Sequence, residues 1–76
     1  MNIEYLKNFI AIVEEGTILG ASKKLYISQP SLSNQIQYLE NEYDCKLIIR
    51  GSRKIKLTQE GEVLYKKAKN IIELLN

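Results

Sequence analysis

The sequence predicts a small, mainly α-helical domain with a two-stranded β wing and a long final helix. Apolar residues recur at helical spacing in four segments, at about residues 2–14, 18–25, 29–43 and 59–75. Between the last two segments, a β-branched run at 47–50 and an apolar run at 55–57 flank Gly51-Ser52, which is typical of a hairpin. We call residues 47–57 the wing. Three helices followed by a basic wing indicate a winged helix-turn-helix at residues 1–58, and residues 59–76 are predicted to form a linker or dimerisation helix.

The first two helices are predicted from their apolar faces and their ends. The first face consists of Ile3, Leu6, Ile10 and Val13, widened by Phe9. Asn2 is a suitable N-cap, and Gly16 is expected to end the helix, as glycines just past a helix do. Thr17 is expected to cap a second helix over 18–25, in which Ala21 and Leu25 face inward.

The third helix has an apolar face and an unusual polar face. Ser28 is its expected N-cap, Pro30 lies in its first turn, and it is expected to run to about Tyr43. Its apolar stripe is Leu32, Ile36, Leu39 and Tyr43. Its polar face carries Gln29, Ser31, Ser33, Asn34, Gln35 and Gln37. No charged residue occurs from 28 to 39, whereas a solvated helix face ordinarily carries Glu and Lys. Amides and hydroxyls suit hydrogen bonding to base edges in a DNA major groove.

The last helix carries a repeated apolar seam. Thr58 is its expected N-cap, and Glu60 and Glu62 favour its positive N-terminal end. The seam consists of Leu64, Ala68, Ile71 and Leu75, at spacings of four, three and four. Such a two-heptad seam predicts packing against a partner helix, although the same residues could instead pack within one subunit.

Composition bounds the classes of protein to which the chain can belong. Its 76 residues make one small domain, or one end of a larger chain, and a domain of this size is marginally stable alone and would gain from dimerisation. With no His and one Cys, a structural zinc site is nearly excluded. Cys45 is expected to be a small, partly buried residue, since a redox sensor would need a low thiol pKa. The first residues lack a signal-peptide pattern, and no apolar run approaches the ~18 residues that span a bilayer, so the expected location is the cytoplasm, on nucleoid-associated DNA.

Positive charge is concentrated in two acid-free stretches. Residues 16–39 hold two lysines, and residues 45–59 hold the cations Lys46, Arg50, Arg53, Lys54 and Lys56. The whole chain has a net charge of only +2, so the remaining segments are net negative. This distribution is typical of a polyanion binder, although charge alone also fits a solvated surface.

Several motifs together match one known family over essentially all of the chain. They are Phe9-(three residues)-Val13-Glu14, Ala21-(three)-Leu25, Ser28-Gln29-Pro30-Ser31-Leu32-Ser33, Ile36-(two)-Leu39-Glu40, Leu47-(two)-Arg50 and Arg53-(three)-Leu57-Thr58-(two)-Gly61. With these motifs the chain resembles the N-terminal DNA-binding domain of LysR-type transcriptional regulators, which are bacterial. The resemblance implies sequence-specific binding of double-stranded DNA, with residues 29–43 in the major groove and basic wing residues 50–56 on the minor groove or the phosphates.

The resemblance also implies which side chains read bases. They are Gln29, Pro30, Ser33 and Asn34, with Pro30 against a thymine methyl group or a sugar. Asn34 stands where the family often has arginine, so we expect a preference for adenine instead of guanine there. The alternatives are that Gln29 and Ser33 only support the helix cap and that Pro30 is only a first-turn proline.

A second set of residues is expected to contact the DNA backbone. These residues are Thr17, Lys23, Ser31, Gln37, Arg50, Arg53, Lys54 and Lys56. Arg53 is the best candidate for contact with the minor groove or a phosphate, because a narrow minor groove attracts arginine. Thr17 could act only as a cap, and Lys23 could belong to a solvated face. Gln35 lies near the apolar stripe and is expected to flank the core.

The resemblance further implies a homodimer and an absent domain. The seam residues Leu64, Ala68, Ile71 and Leu75 would pair the two copies, which would bind an interrupted palindrome with half-sites about one helical turn apart. Family members continue into an effector-binding domain that this chain lacks, so a small-molecule effector is expected to bind only there. No cofactor, metal or membrane partner is expected for this domain.

Two other functions compete with DNA binding. An enzyme would need a catalytic constellation, and the chain offers no His, one Cys, no phosphate-cradling loop and no paired-acid signature. An adaptor that uses the wing and the last helix for protein contacts is the stronger rival. However, an adaptor has no use for an uncharged, amide-rich helix face beside an acid-free wing.

Overall fold

The computed structural model describes residues 2–51 and 53–76. These residues form, in chain order, α1 (Ile3–Glu15), α2 (Ile18–Leu25), α3 (Gln29–Tyr43), β1 (Ile48–Ile49), β2 (Lys56–Leu57) and α4 (Gln59–Leu75). The predicted order of three helices, a hairpin and a long helix is confirmed. Helix α1 packs against α2, α3 and α4, so it lies at the centre of the domain.

Each helix begins with the side-chain cap that the sequence predicts. In every case an oxygen of the cap residue accepts a hydrogen bond from the backbone N–H three residues later. The pairs are Asn2 with Tyr5 (3.0 Å), Thr17 with Gly20 (2.9 Å), Ser28 with Ser31 (3.2 Å) and Thr58 with Gly61 (2.9 Å). These contacts are local, so the order of residues in the chain is sufficient to specify them.

The first three helices end at residues with left-handed backbone conformation. Gly16, with φ 83°, ends α1 as predicted. Tyr26 (φ 57°) ends α2, and Asp44 (φ 54°) ends α3. Both helices end where the sequence predicts, at Leu25 and Tyr43, although neither Tyr26 nor Asp44 is the glycine that most often takes this conformation.

The core joins all four helices and the wing. Its fully or nearly fully buried apolar residues are Leu6, Phe9, Ile12, Ala21, Leu32, Ile36, Leu39, Leu47, Ile48 and Ala68. The predicted face of α1 is shifted, since Phe9 and Ile12 lie at its centre while Ile10 and Val13 are only partly buried. Tyr43 was predicted to extend the buried stripe of α3, but its side chain is 38% exposed, because the helix ends there.

The paired part of the wing is shorter than predicted. Ile48 pairs with Leu57 and Ile49 with Lys56 in antiparallel register. The Ile55 N–H instead donates to the Gly16 carbonyl over 2.9 Å, which attaches the wing to the corner between α1 and α2. The predicted turn at Gly51-Ser52 is described only at Gly51, with φ 103°, and Ser52 lies outside the described residues.

Helix α4 packs along α1, so that the first part of the predicted seam lies against the core and the last part is exposed to solvent. Ala68 is fully buried in the core of its own subunit, and Leu64 packs against that core. Ile71 is half-buried, and Leu75 is 63% exposed. Ala68 therefore offers no surface to a second copy.

Candidate nucleic-acid interface

The polar face of α3 lies on the outside of the domain. Gln29, Pro30, Ser31, Asn34 and Gln37 are exposed, and Ser33 is half-buried. The opposite face of the same helix provides the buried leucines and isoleucine of the core. All four predicted base readers thus lie on a helix that is anchored from behind, with their side chains free of the core.

Arg50 links the wing to this helix. Its Nη1 atom donates to the Ser33 hydroxyl oxygen over 3.2 Å. The two residues are 17 positions apart in sequence, so this contact exists only in the folded domain. Arg50 was predicted to contact the DNA backbone, and the structure places it directly beside a predicted base reader.

A polar recess lies between α3 and β1. Its volume is about 390 Å³, and its lining residues are Ser33, Asn34, Gln37, Glu40, Lys46, Ile48 and Arg50. Three of these were predicted to contact bases or backbone from α3, and Arg50 was predicted from the wing. The recess therefore brings the two predicted parts of the interface into one concave surface.

Glu40 anchors the start of the wing to α3. Its side chain is buried, 7% exposed, and its Oε2 atom accepts a hydrogen bond from the Leu47 N–H over 2.8 Å. Lys46 Nζ lies 3.8 Å from Glu40 Oε1. Sequence reasoning assigned Glu40 no role beyond the family motif. Its signal was its position, as the first charged residue after the uncharged stretch of α3.

The other wing cations project from the outer part of the hairpin. Arg53, Lys54 and Lys56 are all exposed. The aliphatic stem of Lys54 passes beside Gly16, where an added Cβ would lie 3.5 Å from Lys54 Cδ. Together with the bond from Ile55 to Gly16, this contact places the basic wing beside the turn that precedes α2.

The two residues of the α2 region that were predicted to contact DNA, Thr17 and Lys23, occupy positions that are common in any helix. The Thr17 oxygen is already used as the cap of α2. Lys23 is exposed, and its neighbour Lys24 lies 3.4 Å from Glu15 Oε2. Gln35 accepts a hydrogen bond from the buried Asn8 side chain over 2.7 Å, so it flanks the core as expected.

A second polar cluster fixes α4 against α1, away from the residues predicted to contact DNA. Tyr65 Oη and Lys69 Nζ donate to Glu14 Oε2 over 2.9 Å and 3.3 Å. These two hydrogen bonds lower the pKa of Glu14, and the bond to Glu14 raises the pKa of both Tyr65 and Lys69. The cluster therefore helps to fix the orientation of α4 relative to α1.

Cys45 is half-buried and packs against the core, as expected. Burial, and then the charges of Glu60, Glu40 and Asp44, raise the pKa of its thiol. A redox sensor requires the opposite shift, because the thiolate is the reactive form.

The described residues contain no group of three or more His, Cys, Asp or Glu side chains that could hold a metal ion. Nor does any helix in the described part of the chain have the length and apolar character needed to cross a membrane.

Comparison with known proteins gives a consistent result. The family model described as "Bacterial regulatory helix-turn-helix protein, lysR family" matches residues 3–62. The chain is 47% identical to the HTH-type transcriptional regulator BenM of Acinetobacter baylyi over 68 residues, which cover 90% of this chain and 22% of that protein. It is 42% identical to the nitrogen assimilation regulatory protein nac of Klebsiella aerogenes over 72 residues, 95% of this chain and 24% of that protein. The chain thus spans about a quarter of the length of these relatives.

Solved structures show the same similarity. The BenM DBD in complex with catB site 1 DNA matches with a TM-score of 0.94 and 43% identity, over 99% of this chain and 83% of that one. The CbnR DBD–DNA complex matches with a TM-score of 0.94 and 39% identity, over 99% of this chain and 86% of that one. The full-length regulator LysG of Corynebacterium glutamicum with bound effector Arg matches with a TM-score of 0.91 and 33% identity, over 99% of this chain and 26% of that one.

Proposed function

Because the chain belongs to the lysR family of bacterial regulatory helix-turn-helix proteins, we propose that it binds double-stranded DNA sequence-specifically in the control of transcription. In this proposal α3 enters the major groove and the basic wing residues 50–56 lie on the minor groove or the phosphates. One observation carries it: an exposed, uncharged face of amides and hydroxyls is fixed beside a basic wing by the bonds Arg50–Ser33 and Leu47–Glu40. A helix face that only met water would gain nothing from this arrangement.

The roles of individual residues follow from their positions. Gln29, Pro30, Ser33 and Asn34 are proposed to read bases, and Asn34 is proposed to pair with adenine, since an asparagine amide matches adenine N6 and N7. The proposed backbone contacts are Thr17, Lys23, Ser31, Gln37, Arg50, Arg53, Lys54 and Lys56. No catalytic residue and no cofactor has a part in this function.

We propose that two copies associate through α4, the linker helix of residues 59–76 that follows the DNA-binding domain at 1–58. Ala68 is excluded from this contact because it is buried in its own subunit. The available apolar surface is Ile71 and Leu75, extended by Val63 (48% exposed) and Leu74 (85% exposed). A DNA target of two half-sites would then reflect the two-fold symmetry of the pair. In the whole protein, a small-molecule effector would bind outside residues 1–76, and the location would be the cytoplasm.

The test is selection of duplexes from a random DNA pool, followed by fluorescence anisotropy on the selected duplex and on a scrambled duplex of equal composition. We expect tighter binding of the selected duplex by at least about tenfold, since one good amide–base pair alone discriminates by ~1–3 kcal/mol. Both affinities should fall as salt rises, because cations of the wing release counterions from DNA. Equal affinity for the two duplexes at every salt concentration would refute the proposal and favour the adaptor function.

A further inference from the structure

The bond between Arg50 and Ser33 favours the Ser33 hydroxyl as a donor to a ligand, because it occupies one of the two acceptor sites of the oxygen and leaves the proton unused. Arg50 donates to the Ser33 oxygen over 3.2 Å. Arginine has no acceptor and stays protonated, so Ser33 must be the acceptor in this pair. The serine proton takes no part in the bond and stays available for another acceptor.

Ser22 shows what a helical serine does when no such partner is present. Its hydroxyl donates to the Leu19 carbonyl of its own helix over 2.7 Å, which is a common local use of the group. Ser33 differs, because no group in residues 2–51 or 53–76 accepts a hydrogen bond from its hydroxyl. Ser33 also lines the recess between α3 and β1, next to Asn34 and Gln37. Its proton is therefore available to a group that enters the recess.

We propose that Arg50 makes Ser33 a hydrogen-bond donor in the DNA complex, so that Ser33 rejects cytosine at the base pair it faces. This inference rests on the proposed function. In the major groove guanine offers O6 and N7, adenine offers N7 and thymine offers O4, whereas cytosine offers only its amino donor. A hydroxyl that donates can bond to the first three bases. The cytosine amino group is itself a donor, so it would have to approach the Ser33 oxygen that already accepts a hydrogen bond from the positively charged Arg50 guanidinium.

Arg50 is a positioning residue in this scheme, because it acts through Ser33. Without Arg50, the Ser33 hydroxyl can rotate and accept as well as donate, so cytosine becomes tolerated. Removal of Arg50 therefore changes which base is selected, as well as the overall affinity. A purely structural or purely electrostatic role would lower affinity for every sequence alike.

The experiment compares sequences selected from a random DNA pool by the wild-type chain, Arg50→Met, Arg50→Lys and Ser33→Ala. We expect the wild type and Arg50→Lys, which keeps a charged donor, to exclude cytosine at one position. Arg50→Met should admit cytosine there, and Ser33→Ala should lose its preference among all four bases. In anisotropy, a change to cytosine at that position should weaken the wild type about tenfold and Arg50→Met less than about twofold.

The outcomes separate this inference from the proposed function. Cytosine excluded by the wild type and admitted by Arg50→Met supports the inference. Cytosine excluded by both, or admitted by the wild type in an otherwise selected site, overturns it and leaves sequence-specific binding standing. A wild type that selects no sequence overturns both. Arg50 is exposed, so its variants should fold, and Arg50→Ala serves as a second neutral variant with folding checked by circular dichroism.

Discussion

Replacing Glu40 with alanine should lower the free energy of unfolding by about 2 kcal/mol. The Leu47 N–H, in a residue that is 1% exposed, would lose the Glu40 carboxylate as its acceptor. A hydrogen bond to a charged group contributes ~1.5–3 kcal/mol. The contact between Glu40 and Lys46 adds little, because Lys46 is 76% exposed at a separation of 3.8 Å.

Thermal unfolding followed by circular dichroism measures this effect. For a domain of this size, 2 kcal/mol corresponds to a fall in Tm of ~8–16 °C. Glu40→Gln should cost about half as much, since its amide oxygen can still accept from Leu47 but carries no charge. Glu73→Ala is the matched control, because it removes an exposed carboxylate and should change stability by no more than ~0.5 kcal/mol. A Tm for Glu40→Ala equal to that of the control would show that the Glu40–Leu47 bond does not hold the wing.

Four further predictions follow from the structure. Gly61→Ala should destabilise the domain by ~1–3 kcal/mol in urea unfolding, because the new Cβ would overlap the Leu47 carbonyl oxygen just before β1. Glu14 has a lowered pKa in the folded state through its bonds from Tyr65 and Lys69, so its contribution is complete above the usual value of 4.5 and is lost as pH falls through the lower folded value. Tm measured against pH should therefore fall more steeply below 4.5 in the wild type than in Glu14→Gln. Arg53→Ala should weaken binding to all duplexes and reduce the slope of log K against log salt by ~0.9 if it contacts one phosphate. Asn34→Ala should lose ~1–3 kcal/mol of discrimination at one base pair in a selection experiment.

Each of these predictions has a control and a contradictory result. Asn70→Ala introduces alanine at an exposed position of α4 without adding a Cβ, and equal stability of the two alanine variants would show that Gly61 is not closely packed. Tyr65→Phe should reproduce part of the effect of Glu14→Gln, and an unchanged pH profile in both would exclude the cluster. Lys66→Ala removes an exposed cation outside the wing, so an equal loss of salt slope there would argue against a specific role for Arg53. An unchanged selection profile for Asn34→Ala would remove it from the base readers.

The elements of this fold were predictable because their signals are local. The four N-caps, the glycine that ends α1 and the bounds of α2 depend on residues within three or four positions of one another. The polar face of α3 was also visible in the sequence, since a helical period converts spacing directly into faces. The positions of Gln29 and Asn34 on the surface follow from that period alone.

The parts that were not predicted depend on contacts between distant segments. The strands are short because Ile55 donates to Gly16, which lies far earlier in the chain, and not across the hairpin. Ala68 was assigned to a dimer seam because a heptad pattern cannot distinguish a partner helix from α1 of the same chain. The helical period assigned Tyr43 to the buried stripe, but the residue is 38% exposed because it is the last residue of α3.

The feature that is hardest to predict from the sequence is the relative position of α3 and the wing, which together form the proposed interface. Amides on a helix and cations on a hairpin can each be read from a sequence, but their relative position cannot. In this domain two bonds determine it, one buried from Leu47 to Glu40 and one at the surface from Arg50 to Ser33. The buried bond sits at the base of the wing, so its loss should lower stability first. The surface bond sits beside the base readers, so its loss should change sequence preference with little effect on folding. The two substitutions, Glu40→Ala and Arg50→Met, therefore separate the part of the wing that maintains the fold from the part that takes part in recognition.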